Sequence, residues 1–168
     1  MSAGDLRVIS AGGLNAAPMR RFVMPRGKGA IAVGEPVWID FTPTGVVPYP
    51  VLLRDEDPIR TTYWLGVAAG ASTQTATADG SVDIYLHQPG FIYRGTATTA
   101  STADTQTEID QWQGYHVALD LISGKFTVKL TTSDSTKGLI VLGGNPNTSS
   151  IDFAVMNEFT WLANLNSN

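Results

Sequence analysis

Residues 81–95 read SVDIYLHQPGFIYRG, and the fold follows from how this stretch alternates and turns. Val82, Ile84 and Leu86 alternate with Asp83, Tyr85 and His87, the period of two that gives a strand one buried face and one wetter face. Gln88-Pro89-Gly90 follows, with proline where φ near −65° is wanted and glycine where a type II turn needs positive φ. The stretch predicts two strands, Ser81 to His87 and Phe91 to Gly95, joined as a tight hairpin.

The same reading extends in both directions. YHVALDLISGKFTVKL, residues 115–130, alternates Val117, Leu119 and Leu121 with His116, Ala118 and Asp120, reverses at Ser123-Gly124, and resumes with Phe126, Val128 and Leu130. Further strands are predicted at Val37 to Phe41, Tyr63 to Ala68, Leu139 to Leu142, Ile151 to Met156 and Phe159 to Ala163. Two hairpins make the pairing largely antiparallel, and the short, regularly spaced strands favour a sandwich or barrel-like fold over parallel βαβ units. One helix is predicted within Thr105 to Gln113: Thr105 and Glu108 have capping-box spacing, Ile109 and Trp112 share a face, and Gly114 can end it. The stretches 70–80 and 96–107, rich in Ala, Ser and Thr, and the proline-bearing stretch 43–60 read as exposed connections.

The first thirty residues differ from the rest. Met1 to Ala30 carries five basic side chains and one carboxylate, a net of +4, while the remainder holds six basic and fourteen acidic residues, a net of −8. Glycines at 4, 12, 13, 27 and 29 and prolines at 18 and 25 interrupt any periodicity, so the segment reads as an extended arm, 1–30, on a domain of residues 31–168. Stretched out it spans up to ~100 Å, against a radius of gyration of roughly 14 Å for a body of this size. The alternatives are a disordered terminus and a strand folded back on the body. Leu6, Val8, Ile9, Leu14, Met19, Phe22, Val23 and Met24 are too much apolar surface for a solvated tail.

With 168 residues and 43% hydrophobic composition the chain can build one core. It has no run of eighteen apolar residues and no signal-peptide centre in Met1 to Ala30, so it is expected to be soluble and not exported, with no membrane partner. The absence of cysteine excludes disulfides, thiolate metal sites and cysteine nucleophiles. His87 and His116 lack metal-ligand spacing and are expected on the surface or at an interface; no metal or cofactor is expected. No serine stands in a Gly-x-Ser-x-Gly elbow, and Gly143-Gly144 leads into the turn Asn145-Pro146-Asn147, with no helix to cradle phosphate. The expectation is that the chain is not an enzyme.

The acidic cluster Asp55-Glu56-Asp57, flanked by Arg54 and Arg60, lacks a calcium-loop pattern and reads as a solvated charge run or an intersubunit contact. Trp38, Trp64, Trp112 and Trp161 read as core or interface anchors, with stacking on sugar rings as the alternative. Arg20, Arg21, Arg26 and Lys28 around Phe22 are a thin case for nucleic acid beside an acidic body, and none is expected as a partner.

Residues 65–95, LGVAAGASTQTATADGSVDIYLHQPGFIYRG, resemble the head decoration, or capsid cement, proteins of tailed bacteriophages. The pieces YHVALDLISGKFTVKL and LIVLGGNPNTSSIDFAVM fit the same style. The resemblance implies an all-β, antiparallel β-sandwich or jelly-roll-like single domain with an extended N-terminal arm. It implies a structural protein, made in the host cytoplasm, that binds the outer capsid surface of the virion and cements neighbouring major capsid proteins, commonly as a homotrimer. On that reading Leu6, Arg7, Val8, Ile9, Arg20, Arg21, Phe22, Arg26 and Lys28 form the capsid-binding arm, a proposal from charge and apolarity because no residue-level motif transfers. The alternative function is a carbohydrate-binding or adhesive β-sandwich module on a virion surface.

Overall fold

The computed structural model describes residues 6–13, 16–40, 50–51, 62–130, 138–156 and 160. In chain order they form β1 (Arg7–Ala11), β2 (Met19–Met24), β3 (Pro36–Asp40), β4 (Pro50–Val51), β5 (Thr62–Ala68), β6 (Gly80–Leu86), β7 (Phe91–Thr96), α1 (Gln106–Trp112), β8 (His116–Ile122), β9 (Lys125–Lys129), β10 (Leu139–Asn145) and β11 (Ser150–Val155). The strands make an antiparallel, sandwich-like domain of two sheets, one ordered β1-β7-β11-β10-β8-β9 and the other β2-β6-β5-β3-β4.

The predicted strands sit where alternation placed them, apart from shifts at their ends. The stretch predicted as Phe159 to Ala163 lies almost wholly outside the described residues; within it, Thr160 is buried and bridges Trp64 in parallel. The capped helix also forms as predicted. Thr105 Oγ1 accepts from the Glu108 backbone N–H while the Glu108 side chain accepts from the Thr105 N–H, and Ile109 is the buried residue of α1.

The hairpin between β8 and β9 forms, with Ile122 opposite Lys125 and positive φ at Ser123 and Gly124. The hairpin predicted at Gln88-Pro89-Gly90 does not. The turn itself is there, with the Phe91 N–H donating to the Gln88 carbonyl at 3.1 Å and Gly90 at φ 83°. But β6 pairs with β2 and β5, whereas β7 pairs with β1 and β11 in the other sheet. The reason lies in burial: Val82 and Ile84 belong to one core, Phe91 and Tyr93 to another, and an arch between sheets lets each strand face its own.

The first core is aromatic. Tyr93, Phe91, Phe153 and Trp64 pack with Leu6, Ile109, Ile151 and Val128 between and inside the sheets. The second, with Met24, Ile31, Val37, Leu65, Val82 and Ile84, is aliphatic and belongs to the five-stranded sheet and the segment after β2. Strand β5 serves both. The pairing of Val37 with Gly66 and Trp38 with Trp64 leaves Leu65 bulged out of register, so Trp64 and Val67 face the first core while Leu65 and Ala68 face the second. The six-stranded sheet curls until Ala97 bridges Val128, where the Thr98 N–H donates to the Val128 carbonyl at 2.8 Å.

The N-terminal segment is built into this frame. Strand β1 pairs with β7, β2 pairs with β6, Leu6 is fully buried in the first core and Met24 in the second. The expectation of an arm that leaves its own domain is therefore corrected for the described residues in favour of strands folded back on the body. Burying Leu6, Met24 and Ile31 offsets the ordering of a segment whose glycines and prolines lie between strands rather than within them.

Candidate docking face

The N-terminal strands each stand at the end of a sheet's strand order. β1 and β2 are the outer strands of their sheets, and each carries basic and large apolar side chains outward. On β2, Phe22 and Met24 turn inward, while Met19, Arg21 and Val23 share the outer face. Their cross-strand partners on β6 are Tyr85, Asp83 and Ser81. The outcome is an apolar pair, an ion pair and a valine in consecutive rows, with Met19 56% and Val23 68% exposed.

The Arg21 guanidinium grips Asp83 bidentately, at 2.8 and 2.9 Å. That bond lowers the Asp83 pKa and raises that of Arg21. Both groups are in water, so the pair orients the face more than it stabilises the fold. Arg7, Arg20 and Arg26 are exposed and make no ion pair with a carboxylate among the described residues. Arg26 and Lys28 occupy the turn after β2, which is laced to the 70–79 connection: the Arg26 N–H donates to Asp79 at 2.9 Å, and Gln74 Nε2 donates to the Lys28 and Gly29 carbonyls. The Ile31 N–H donates to Ser72 Oγ at 2.8 Å. The polar loop thus holds the basic turn in place.

The expected arm residues divide accordingly. Leu6 is core, Phe22 and Val8 are half-buried, and Arg7, Ile9, Arg20, Arg21, Arg26 and Lys28 are exposed. The expected intersubunit cluster, Arg54, Asp55, Glu56, Asp57 and Arg60, lies outside the described residues. Tyr85 and Val33, both exposed and both beside β1, were missed; Tyr85 stood on the polar phase of the strand, a position where an aromatic ring is itself a signal of contact.

A second constellation is buried. His87, expected at the surface, is 1% exposed, because β6 ends at Leu86 and alternation ceases to govern the next side chain. Its ring stacks on Tyr93 and lies edge-on to Phe91. Trp64 Nε1–H donates to the Tyr93 hydroxyl at 3.2 Å, and that hydroxyl lies 2.7 Å from His87 Nδ1. Which of the two atoms donates depends on the imidazole tautomer. Burial pushes the His87 pKa down to about 4 and raises that of Tyr93. The chain of three ties β5, the β6–β7 arch and β7 together across the sheets.

Trp64 is thus a core residue, and Trp38 packs edge-on to it at 5.1 Å. His116 is half-buried, and among the described residues no group of three or more His, Asp or Glu is placed to hold a metal ion. No helix among them is long and apolar enough to cross a membrane. Comparison of the chain with protein-family models, with curated proteins and with solved structures gives no match.

Proposed function

We propose that this chain is a structural virion protein without catalytic activity, which docks on the outer surface of a phage head and cements neighbouring major capsid proteins, acting as a trimer. One observation carries the reading. Five of the eight large apolar side chains exposed among the described residues, Ile9, Met19, Val23, Val33 and Tyr85, lie on or beside β1 and β2, in a part of the chain that also carries the exposed Arg7, Arg20, Arg21, Arg26 and Lys28. Apolar groups interspersed with exposed cations, one of them paired with Asp83, suit a protein partner that carries carboxylates: the charges steer and orient, and the apolar contacts hold. Trimeric display would multiply three modest contacts into firm attachment. The resemblance of residues 65–95 to decoration proteins supplies the choice of capsid as that partner.

The test is co-sedimentation of the purified protein with undecorated phage heads, at two salt concentrations. Saturable binding is expected, weaker at high salt, with a trimer in sedimentation equilibrium. Deleting the N-terminal segment would strip Leu6 and Met24 from the cores, so exposed substitutions are the informative ones. The double variant Met19→Glu, Val23→Asp, both on the outer face of β2, should fold normally and bind heads about tenfold more weakly or worse. Unchanged decoration by that variant, or no binding by the wild type, would sink the proposal.

A further inference from the structure

A groove runs beside β1. It encloses about 880 Å³ and is lined by the whole of β1, by Val33 and Gly34, by residues 67–69 and by Tyr85, and by no residue of β7. It therefore runs along the side of β1 that has no neighbouring strand among the described residues. At one end the Leu6 N–H already donates to the Gly34 carbonyl at 3.2 Å, so the unpaired backbone begins after Leu6. A bulge then leaves Ile9 without a cross-strand partner, between Val8 opposite Tyr93 and Ser10 opposite Ile92, with its half-exposed side chain in the groove.

We infer that this groove receives an extended segment of the docking partner, which adds to β1 as a further strand and carries apolar side chains with a carboxylate opposite Arg7. The inference deepens the docking function and rests on it for the partner's identity. Shape argues for a strand: a five-residue edge is about 17 Å long, open backbone groups line one side, and Val8, Ile9, Val33 and Tyr85 offer apolar walls for alternate side chains. Charge argues for an acidic one. Among the described residues Arg7 is the one Asp, Glu, Lys or Arg lining the groove, and no carboxylate lines it or pairs with Arg7. The same charge argues against a second copy, since β1 against β1 would set this basic edge against itself, and the bulge spoils a flat edge-to-edge match.

The test uses the full chain and two fluorescein-labelled heptapeptides, one alternating valine with glutamate and one alternating valine with lysine, followed by fluorescence anisotropy. The glutamate peptide should bind saturably and about tenfold more tightly than the lysine peptide. Arg7→Glu and Ile9→Asp should each abolish that preference or the binding, while Ile122→Asp, at the exposed end of β8, should not. Amide exchange at Val8–Ala11 should slow when the peptide is bound. Equal affinity for both peptides, binding to neither, or binding untouched by Ile9→Asp would overturn the inference. So would a wild-type dimer that Ile9→Asp dissociates, because the occupant would then be a second copy. Peptide binding by a protein that ignores heads would refute the capsid function alone, and head binding that survives Ile9→Asp without peptide binding would refute the groove alone.

Discussion

The reversals at residues 88–90 and 123–124 look alike in sequence and differ completely in the fold. Both follow an alternating strand, both contain a glycine with positive φ, and both turn the chain within a few residues. At 123–124 the flanking strands pair, and Ile122 and Lys125 face water. At 88–90 they part into different sheets, and the flanking His87 and Phe91 are each 1% exposed. A turn is a local event, whereas pairing is decided by which core the next strand can fill. Here the arch is flanked on both sides by buried rings and the hairpin by side chains in water.

The largest effect that would break this comparison is truncation beside each turn. Phe91→Ala should cost about 3–5 kcal/mol in denaturant unfolding, while Ile122→Ala, with its side chain half in water, should stay within about 0.5 kcal/mol. Equal costs would mean that the arch holds no more of the core than the hairpin does.

Next comes acid. His87 is held at about 4 instead of its ordinary 6.5, so the unfolded chain binds one more proton than the folded chain between those values. The stability it supports is complete above about pH 6.5 and is lost as pH falls towards 4, by about 3 kcal/mol in all. In His87→Asn the amide can still hydrogen-bond to Tyr93, so urea titrations between pH 7 and 4.5 should show a flatter slope than in the wild type. An unchanged slope would remove His87 as its source.

A smaller effect tests the same network at neutral pH. Tyr93→Phe keeps the ring but removes the hydroxyl that joins Trp64 to His87, and should cost about 1–3 kcal/mol in thermal or urea unfolding. No loss would mean that the sheets are joined by packing alone.

The smallest contrast lies in the turns. Gly124→Ala meets open space and should cost about 1–2 kcal/mol for its left-handed backbone alone. Gly90→Ala adds a contact at 3.3 Å with the Cα of Gly12, in the turn leaving β1, and should cost measurably more in the same melt. The reverse order would show that the arch yields more easily than the hairpin.

How much of this was legible follows from the range of each signal. The capped helix was readable because Thr105, Glu108 and Ile109 act within one turn of each other. Strands β3 and β5 to β11 were readable as short runs of β-branched and aromatic residues between turn signals, with alternation marking those around the two reversals. The N-terminal strands were not, since β1 and β2 are short, closely bounded by Gly12, Gly13 and Pro18, and become strands only against β7 and β6. The docking face was half legible: its basic and apolar residues were named from composition, but Tyr85 and Val33 join it only through contacts distant in the chain.

Sequence alone determined the all-β class, the turns, the helix and the lack of any thiol chemistry, because these depend on residue type and near neighbours. Tertiary structure decided which sheet each strand entered, that His87 is buried beside Tyr93, and that β1 and β2 join the two sheets as outer strands instead of forming a free arm. Those outcomes depend on burying apolar surface between residues as far apart as Leu6 and Phe153, and no local pattern records which partners meet.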